Sequence, residues 1–194
     1  MTIRLQLGLP PAHRRAAAGL YWQAFGGKLV RVLGPDAKAL AYLDRVIRPD
    51  HAICATENGE LLGLAGFRSP EGGFAEGSLS DLRAVYGRFG AAWRMAALSA
   101  LSHEVDNGRF LIDGICVAPA HRNRGIGAAL IDALCTEAAR RGYGAIRLEV
   151  IDSNLRARAL YERKGFRVLR RDHLGLLQLA FRFASATIMV RSLR

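Results

Sequence analysis

Residues 112–127 read IDGICVAPAHRNRGIG. The stretch runs from an apolar segment, through a break at Pro119, into a basic glycine-rich loop. A helical pattern starts at once, with Ile126, Ala129, Leu130, Ala133 and Leu134 at i, i+3, i+4, i+7 and i+8. The order is therefore strand, Arg-rich Gly loop, helix N-terminus. That arrangement suits phosphate for a physical reason. The first turn of a helix carries unpaired N–H groups and the positive end of the peptide dipoles. Gly125 and Gly127 let a ligand approach the backbone with no Cβ in the way. Arg122 and Arg124 add charge that pairs well with phosphate oxygens. Taken alone, such a motif equally describes a tight strand-to-helix turn.

Working outward, Phe110 to Val117 reads as the strand before the loop, after a turn at Asn107-Gly108. The helix after the loop runs to Arg141 and Gly142 caps it. Residues 144–151 form the next strand. Asp152, Ser153 and Asn154 supply N-cap candidates for a short helix to about Lys164. Gly165 ends that helix, Phe166 to Arg170 starts another strand, and a last strand lies within Leu177 to Arg191.

Towards the N-terminus, residues 2–8 alternate as a first strand. Pro10-Pro11 opens a helix with Ala17, Leu20, Tyr21 and Ala24 inward, and Gly26-Gly27 is expected to close it. A second helix spans Asp36 to Ile47, with Leu40, Leu43 and Ile47 inward. Residues 52–56 and 61–67 flank Asn58-Gly59, a hairpin signal because a type I′ turn needs positive φ at both central positions. Residues 68–78 read as a loop. Leu79 to Leu101 is helical in character, interrupted by Gly87 and Gly90. Tyr86, Phe89 and Trp93, at i, i+3 and i+7, are expected to pack into the core. Helices and a hairpin followed by β-α-β-α-β give an α+β, mixed-sheet chain, expected to be one domain over residues 1–194.

Composition bounds the function. The 194 residues are 51% hydrophobic, which supports a sizeable core and excludes a disordered polymer. Lys+Arg 28 against Asp+Glu 17 gives +11, which favours an anionic partner. The excess is scattered arginine, with no block of like charge and no aromatics interleaved with it. That pattern favours an Arg-rich soluble protein over a dedicated nucleic-acid face. Cys54, Cys116 and Cys135 sit among apolar neighbours without metal-type spacing, so they read as buried thiols and no metal is expected. No run approaches the ~20 apolar residues of a membrane span, and no secretory leader is apparent. A cytoplasmic protein without membrane partners is the expectation.

A second motif lies downstream: Asn154, then Ala159-Leu160-Tyr161-Glu162-Arg163-Lys164-Gly165-Phe166. Together with Arg122-Asn123-Arg124-Gly125-Ile126-Gly127, it resembles the signatures of the GNAT superfamily of N-acetyltransferases. The likeness covers about Phe110 to Arg170; the N-terminal half matches in element order alone. It implies a mixed, mostly antiparallel sheet flanked by helices. Two central parallel strands, here 110–117 and 144–151, splay apart around acetyl-CoA. Pro119 suits a splay, because it has no N–H with which to extend a ladder. The resemblance places pantetheine along Ile115, Cys116 and Val117, and pyrophosphate on the N–H groups from Arg122 and Asn123 through Arg124, Gly125, Ile126 and Gly127 to Ala128.

Acyl transfer needs a neutral amine, donors for an oxyanion and a proton for the departing thiolate. The N–H groups near Cys116 or Val117 suit the oxyanion. The resemblance assigns the proton to Tyr161, which otherwise reads as a residue packing beside Ala157 and Leu160. Asn154 reads both as a helix cap and as a contact to the pantetheine arm. Asp113 is the candidate general base. By alternation it shares a face with Ile115 and Val117, and its other reading is an exposed or ion-paired strand residue. Glu149 and His121 are weaker candidates, while His103 and His173 have no motif context. Cys116 as a nucleophile lacks a histidine at any recognisable spacing. The expected partners are acetyl-CoA and an amine acceptor. The alternative is an acyl-CoA-binding module without turnover. The family also allows a homodimer through the C-terminal strands, although the core alone explains an apolar last strand.

Overall fold

The two strands on either side of the glycine loop and its helix are neighbours in the sheet. The computed structural model of the chain describes residues 3–101, 108–175, 178–181 and 183–193. Its elements run β1 (Arg4–Leu7), α1 (Arg14–Leu33), α2 (Asp36–Val46), β2 (Ala52–Glu57), β3 (Glu60–Ser69), β4 (Gly72–Gly73) and α3 (Leu79–Leu101). They continue with β5 (Phe110–Val117), α4 (Ile126–Arg140), β6 (Ala145–Ile151), α5 (Leu155–Arg163), β7 (Arg167–His173), α6 (Gln178–Phe181) and β8 (Ser185–Ser192). The sheet order is β1-β2-β3-β5-β6-β8-β7, with β4 on β3. Among the described strands β5 and β6 form the one parallel pair, and every other pairing is antiparallel.

Local chemistry explains several of these elements. Asn58 and Gly59 have φ of 50° and 79°, as the β2–β3 turn requires. Gly142 and Gly165 take positive φ where α4 and α5 end. Asn154 caps α5 by accepting a hydrogen bond from the Ala157 N–H at 3.2 Å. One face of the sheet packs on α4, with Phe67, Phe110, Leu130, Leu134, Ile146 and Leu148 in the largest core. The other face packs on α1, where Ala17, Leu20, Leu64, Phe74 and Cys116 meet. A third cluster joins the end of α1 to α2, α3 and α6.

Four expectations are corrected. α1 does not stop at Gly26-Gly27 but runs to Leu33. Each helical glycine costs about 1 kcal/mol, which the burial of Val32 and Leu33 beyond them outweighs. Gly26 itself is buried against Trp22, where an added Cβ would lie 2.8 Å from the indole. Ala24 is exposed rather than inward, and Leu40 is half-buried. The aromatic trio of α3 does not share a face: Tyr86 is buried, while Phe89 is 93% and Trp93 47% exposed. Gly87, at φ 73° and ψ 176°, breaks α3 between them and resets the helical phase. Finally, part of the 68–78 loop is ordered as sheet, since β4 pairs Gly73 and Gly72 with Arg68 and Ser69. His103 and Asn107 lie outside the described residues. No described helix is long and apolar enough to cross a membrane.

Candidate active site

The site begins with a separation of strands. β5 and β6 pair at Phe110–Ile146 and Leu111–Arg147 and no further. β5 stays on β3 as far as Val117, opposite Gly63. β6 stays on β8 as far as Ile151, opposite Ala186. The edges of residues 112–117 and 148–151 therefore diverge, and their backbone groups on the facing sides are left out of the ladder. A β-bulge accompanies the divergence. Gly66 faces Gly114 and Phe67 faces Ile112, so Asp113 is the extra residue. Bulges bend and twist the strand that carries them, which here turns β5 away from β6.

The bulge also shifts the alternation. Ile112, Ile115 and Val117 pack with the α4 core, whereas Cys116 packs with the α1 cluster. Asp113 lies on the α1 side, where one carboxylate oxygen accepts the Phe74 N–H at 2.8 Å and the other is 3.4 Å from Arg68 Nε. The expectation that Asp113 shares a face with Ile115 and Val117 is thus overturned. Burial raises its pKa above the ordinary carboxylate value, partly offset by Arg68 and the Phe74 amide. Tyr21 of α1 lies close enough for its phenol to be raised by burial and then by Asp113 and Cys116. Phe25, one turn on, covers Gly114 so tightly that a Cβ there would sit 2.6 Å from its ring.

Beyond Val117 the chain makes a short turn at Pro119–His121 and enters the loop. Asn123 and Gly125 take φ of 67° and 78°, a conformation that asparagine tolerates and glycine adopts freely. The first amide bonded along α4 is that of Ala129, to the Gly125 carbonyl at 3.0 Å. The N–H groups of Ile126, Gly127 and Ala128 are thus left at the helix start. A Cβ on Gly125 would project into open space.

The arginines divide unequally. Arg124 is paired with Glu57 at 2.8 Å, a carboxylate only 9% exposed, and also reaches His121 at 3.1 Å. Arg122 donates through Nε to the Val117 carbonyl at 3.2 Å, and no carboxylate among the described residues pairs with it. Arg156 of α5 donates to the Asn123 side chain and brings a further cation to the loop. Sequence reasoning did not single it out; its place two residues after the capping Asn154 was the available signal. His121 is held between Arg124 and Glu60, the latter at 3.2 Å. Glu149 is exposed and ion-paired with Arg147 at 2.8 Å, and His173 is exposed on β7.

Tyr161 projects from α5 onto the α4 core, its ring centroid 5.9 Å from that of Phe166. Burial, and then the nearby Cys116, push its pKa up to about 12, so the phenol keeps its proton at neutral pH. Cys116 is buried, donates weakly to the Leu64 carbonyl at 3.7 Å, and is itself pushed up to about 12 by burial. A thiol so far from ionising is a poor nucleophile. Cys54 and Cys135 are likewise buried and free.

Known proteins agree with this architecture. The acetyltransferase (GNAT) family profile matches residues 18–166. Streptothricin acetyltransferase of Streptomyces lavendulae is 39% identical over 92 residues, 47% of this chain and 48% of that protein, so the chain spans about half the length of that relative. An N-acetyltransferase from Staphylococcus aureus Mu50 superposes with a TM-score of 0.67 at 15% identity, covering 96% of this chain and 99% of its own. A GCN5-related N-acetyltransferase from Kribbella flavida superposes with a TM-score of 0.65 at 17% identity, covering 98% and 97%. The structural likenesses establish the fold. The profile spans most of the sequence, including both strands of the splay, the glycine loop and Tyr161, and the chain belongs to the GNAT family of acetyltransferases.

Proposed function

We propose that this acetyltransferase moves an acetyl group from acetyl-CoA to a primary amine by direct attack in a ternary complex. The observation that carries the reading is the β5–β6 splay, which opens beside the Gly125-capped start of α4. Residues 115–117 have a free strand edge with which a pantetheine amide chain can pair. The N–H groups of residues 125–128, with Arg122 and Arg156 nearby, suit a pyrophosphate. The Asn154 side-chain oxygen caps α5 and its backbone carbonyl accepts the Arg158 N–H at 3.1 Å, so its service to the pantetheine arm is through the side-chain NH2 or the second lone pair of the side-chain oxygen.

Acetyl-CoA supplies an activated thioester. The chain's part is to hold its carbonyl near the Val117 amide, which faces the splay because the next amide, that of Ala118, is bonded to the Leu62 carbonyl on β3, and that amide stabilises the developing oxyanion. Tyr161 donates to the departing thiolate. Asp113 accepts the amine's proton from the α1 side; its raised pKa makes it a stronger base than an ordinary carboxylate. The acceptor we favour is a small-molecule amine of the kind named for the Streptomyces relative, on the strength of 39% identity across about half of each chain. A thiol-release assay with acetyl-CoA and a panel of streptothricin, polyamines and peptide amines tests this. Turnover with streptothricin above the others supports the acceptor. Absence of thiol release with every amine removes the catalytic reading.

A further inference from the structure

We propose that the enzyme acetylates its own Lys28, whose amine lies at the mouth of the β5–β6 splay on the acceptor side. This rests on acetyl-CoA occupying the splay, as proposed above. Lys28 is half-buried on α1. Its Nζ lies 5.3 Å from the Phe25 ring centroid and 5.9 Å from that of Phe183. Phe25 is seated on Gly114, just past the last residue of β5 that pairs with β6. Phe183 lies two residues before β8, whose Ala186 faces Ile151 at the far end of β6. The amine therefore hangs between a ring fixed to one arm of the splay and a ring leading to the other.

The other two lysines are placed differently. Lys38 is exposed on α2, its Nζ 5.9 Å from the ring centroid of Tyr86 on α3 rather than beside either arm of the splay, and Lys164 is ion-paired with Asp132. No carboxylate pairs with Lys28 among the described residues, and its contacts are aromatic faces. Such faces hold a cation weakly and release a neutral amine readily. Burial lowers its pKa, which raises the neutral fraction that can attack.

The step balances. The Nζ lone pair attacks the thioester carbonyl, an N–C bond forms, and the C–S bond breaks. The departing thiolate accepts a hydrogen bond from the Tyr161 phenol, and the proton shed by the amine reaches the sulfur through solvent. Lysine and acetyl-CoA become acetyl-lysine and free coenzyme A.

The full chain is incubated with acetyl-CoA and no added amine, and each lysine is followed by peptide mass spectrometry, while melting curves report acetyl-CoA binding. Lys28 should be acetylated at least about tenfold faster than exposed Lys38, because a held amine reacts at a high effective molarity. The rate should not depend on protein concentration, and Tyr161→Phe should slow labelling at Lys28 but not at Lys38. Lys28→Arg should lose the fast-forming label. Equal labelling of Lys28 and Lys38, or labelling indifferent to Tyr161→Phe, overturns the inference. If Lys28 stays unmodified while acetyl-CoA raises the melting temperature, self-acetylation falls and the acetyl-CoA site stands. If neither label nor thermal shift is seen, both fall.

Discussion

Replacing Tyr161 with Phe separates chemistry from packing. The ring keeps its place in the α4 core and its contact with Phe166. The hydroxyl has no hydrogen-bond partner among the described residues, so its loss should change stability by less than about 1 kcal/mol. The phenol, pushed up to about 12, is a weaker acid than an alkyl thiol of ordinary pKa about 8.5. Tyr161 must therefore act by hydrogen bonding to the thiolate as it forms rather than by early proton release. A hydrogen bond to a charged group is worth about 3 kcal/mol at most, or roughly a hundredfold in rate. Thiol release at saturating acetyl-CoA should fall by that factor, with KM for acetyl-CoA little changed and the melting curve preserved. Wild-type turnover in the variant, or a loss matched by a collapse in melting temperature, would refute the reasoning.

Four further outcomes follow from the same geometry. Gly125→Ala should lose about 1 kcal/mol of stability, because position 125 sits at φ 78°, and calorimetry should show weaker acetyl-CoA binding. Arg122→Gln should raise KM for acetyl-CoA more than Arg124→Gln does, whereas Arg124→Gln should cost about 1–2 kcal/mol of stability by leaving Glu57 unpaired; equal effects on KM would argue against this division. The folded pKa of Asp113 lies above its unfolded value. Its contribution is therefore fully present below the unfolded pKa and is lost as pH rises through the folded one. Urea titrations across that range should show wild type losing stability relative to Asp113→Asn, and parallel curves would contradict the assignment. Phe89→Ala should shift stability by no more than about 0.5 kcal/mol, because the ring is 93% exposed.

What was legible in the sequence was what neighbouring residues decide. The strand, the loop and the start of α4 follow from apolar spacing, Pro119 and the glycines. The β2–β3 turn follows from Asn58-Gly59, and the α5 cap from Asn154. What was illegible depends on partners distant in the chain. The length of α1 is set by the burial of its last turn, which no local rule weighs against Gly26-Gly27. Counting Tyr86, Phe89 and Trp93 as one stripe ignored the phase lost at Gly87. The face of Asp113 depends on a bulge that exists only once β5 pairs with β3. The placement of β8 between β6 and β7 has no local signature. The meeting of Phe25, Lys28 and Phe183 likewise requires α1 and the approach to β8 to be brought together.

The central claim is that acetyl-CoA lies between β5 and β6 with its pyrophosphate at the start of α4. Backbone amide NMR during titration with acetyl-CoA tests this directly. The largest saturable shifts should fall at residues 113–117 and 125–128. Saturable binding that leaves both segments unmoved, or no binding at all, would contradict the account.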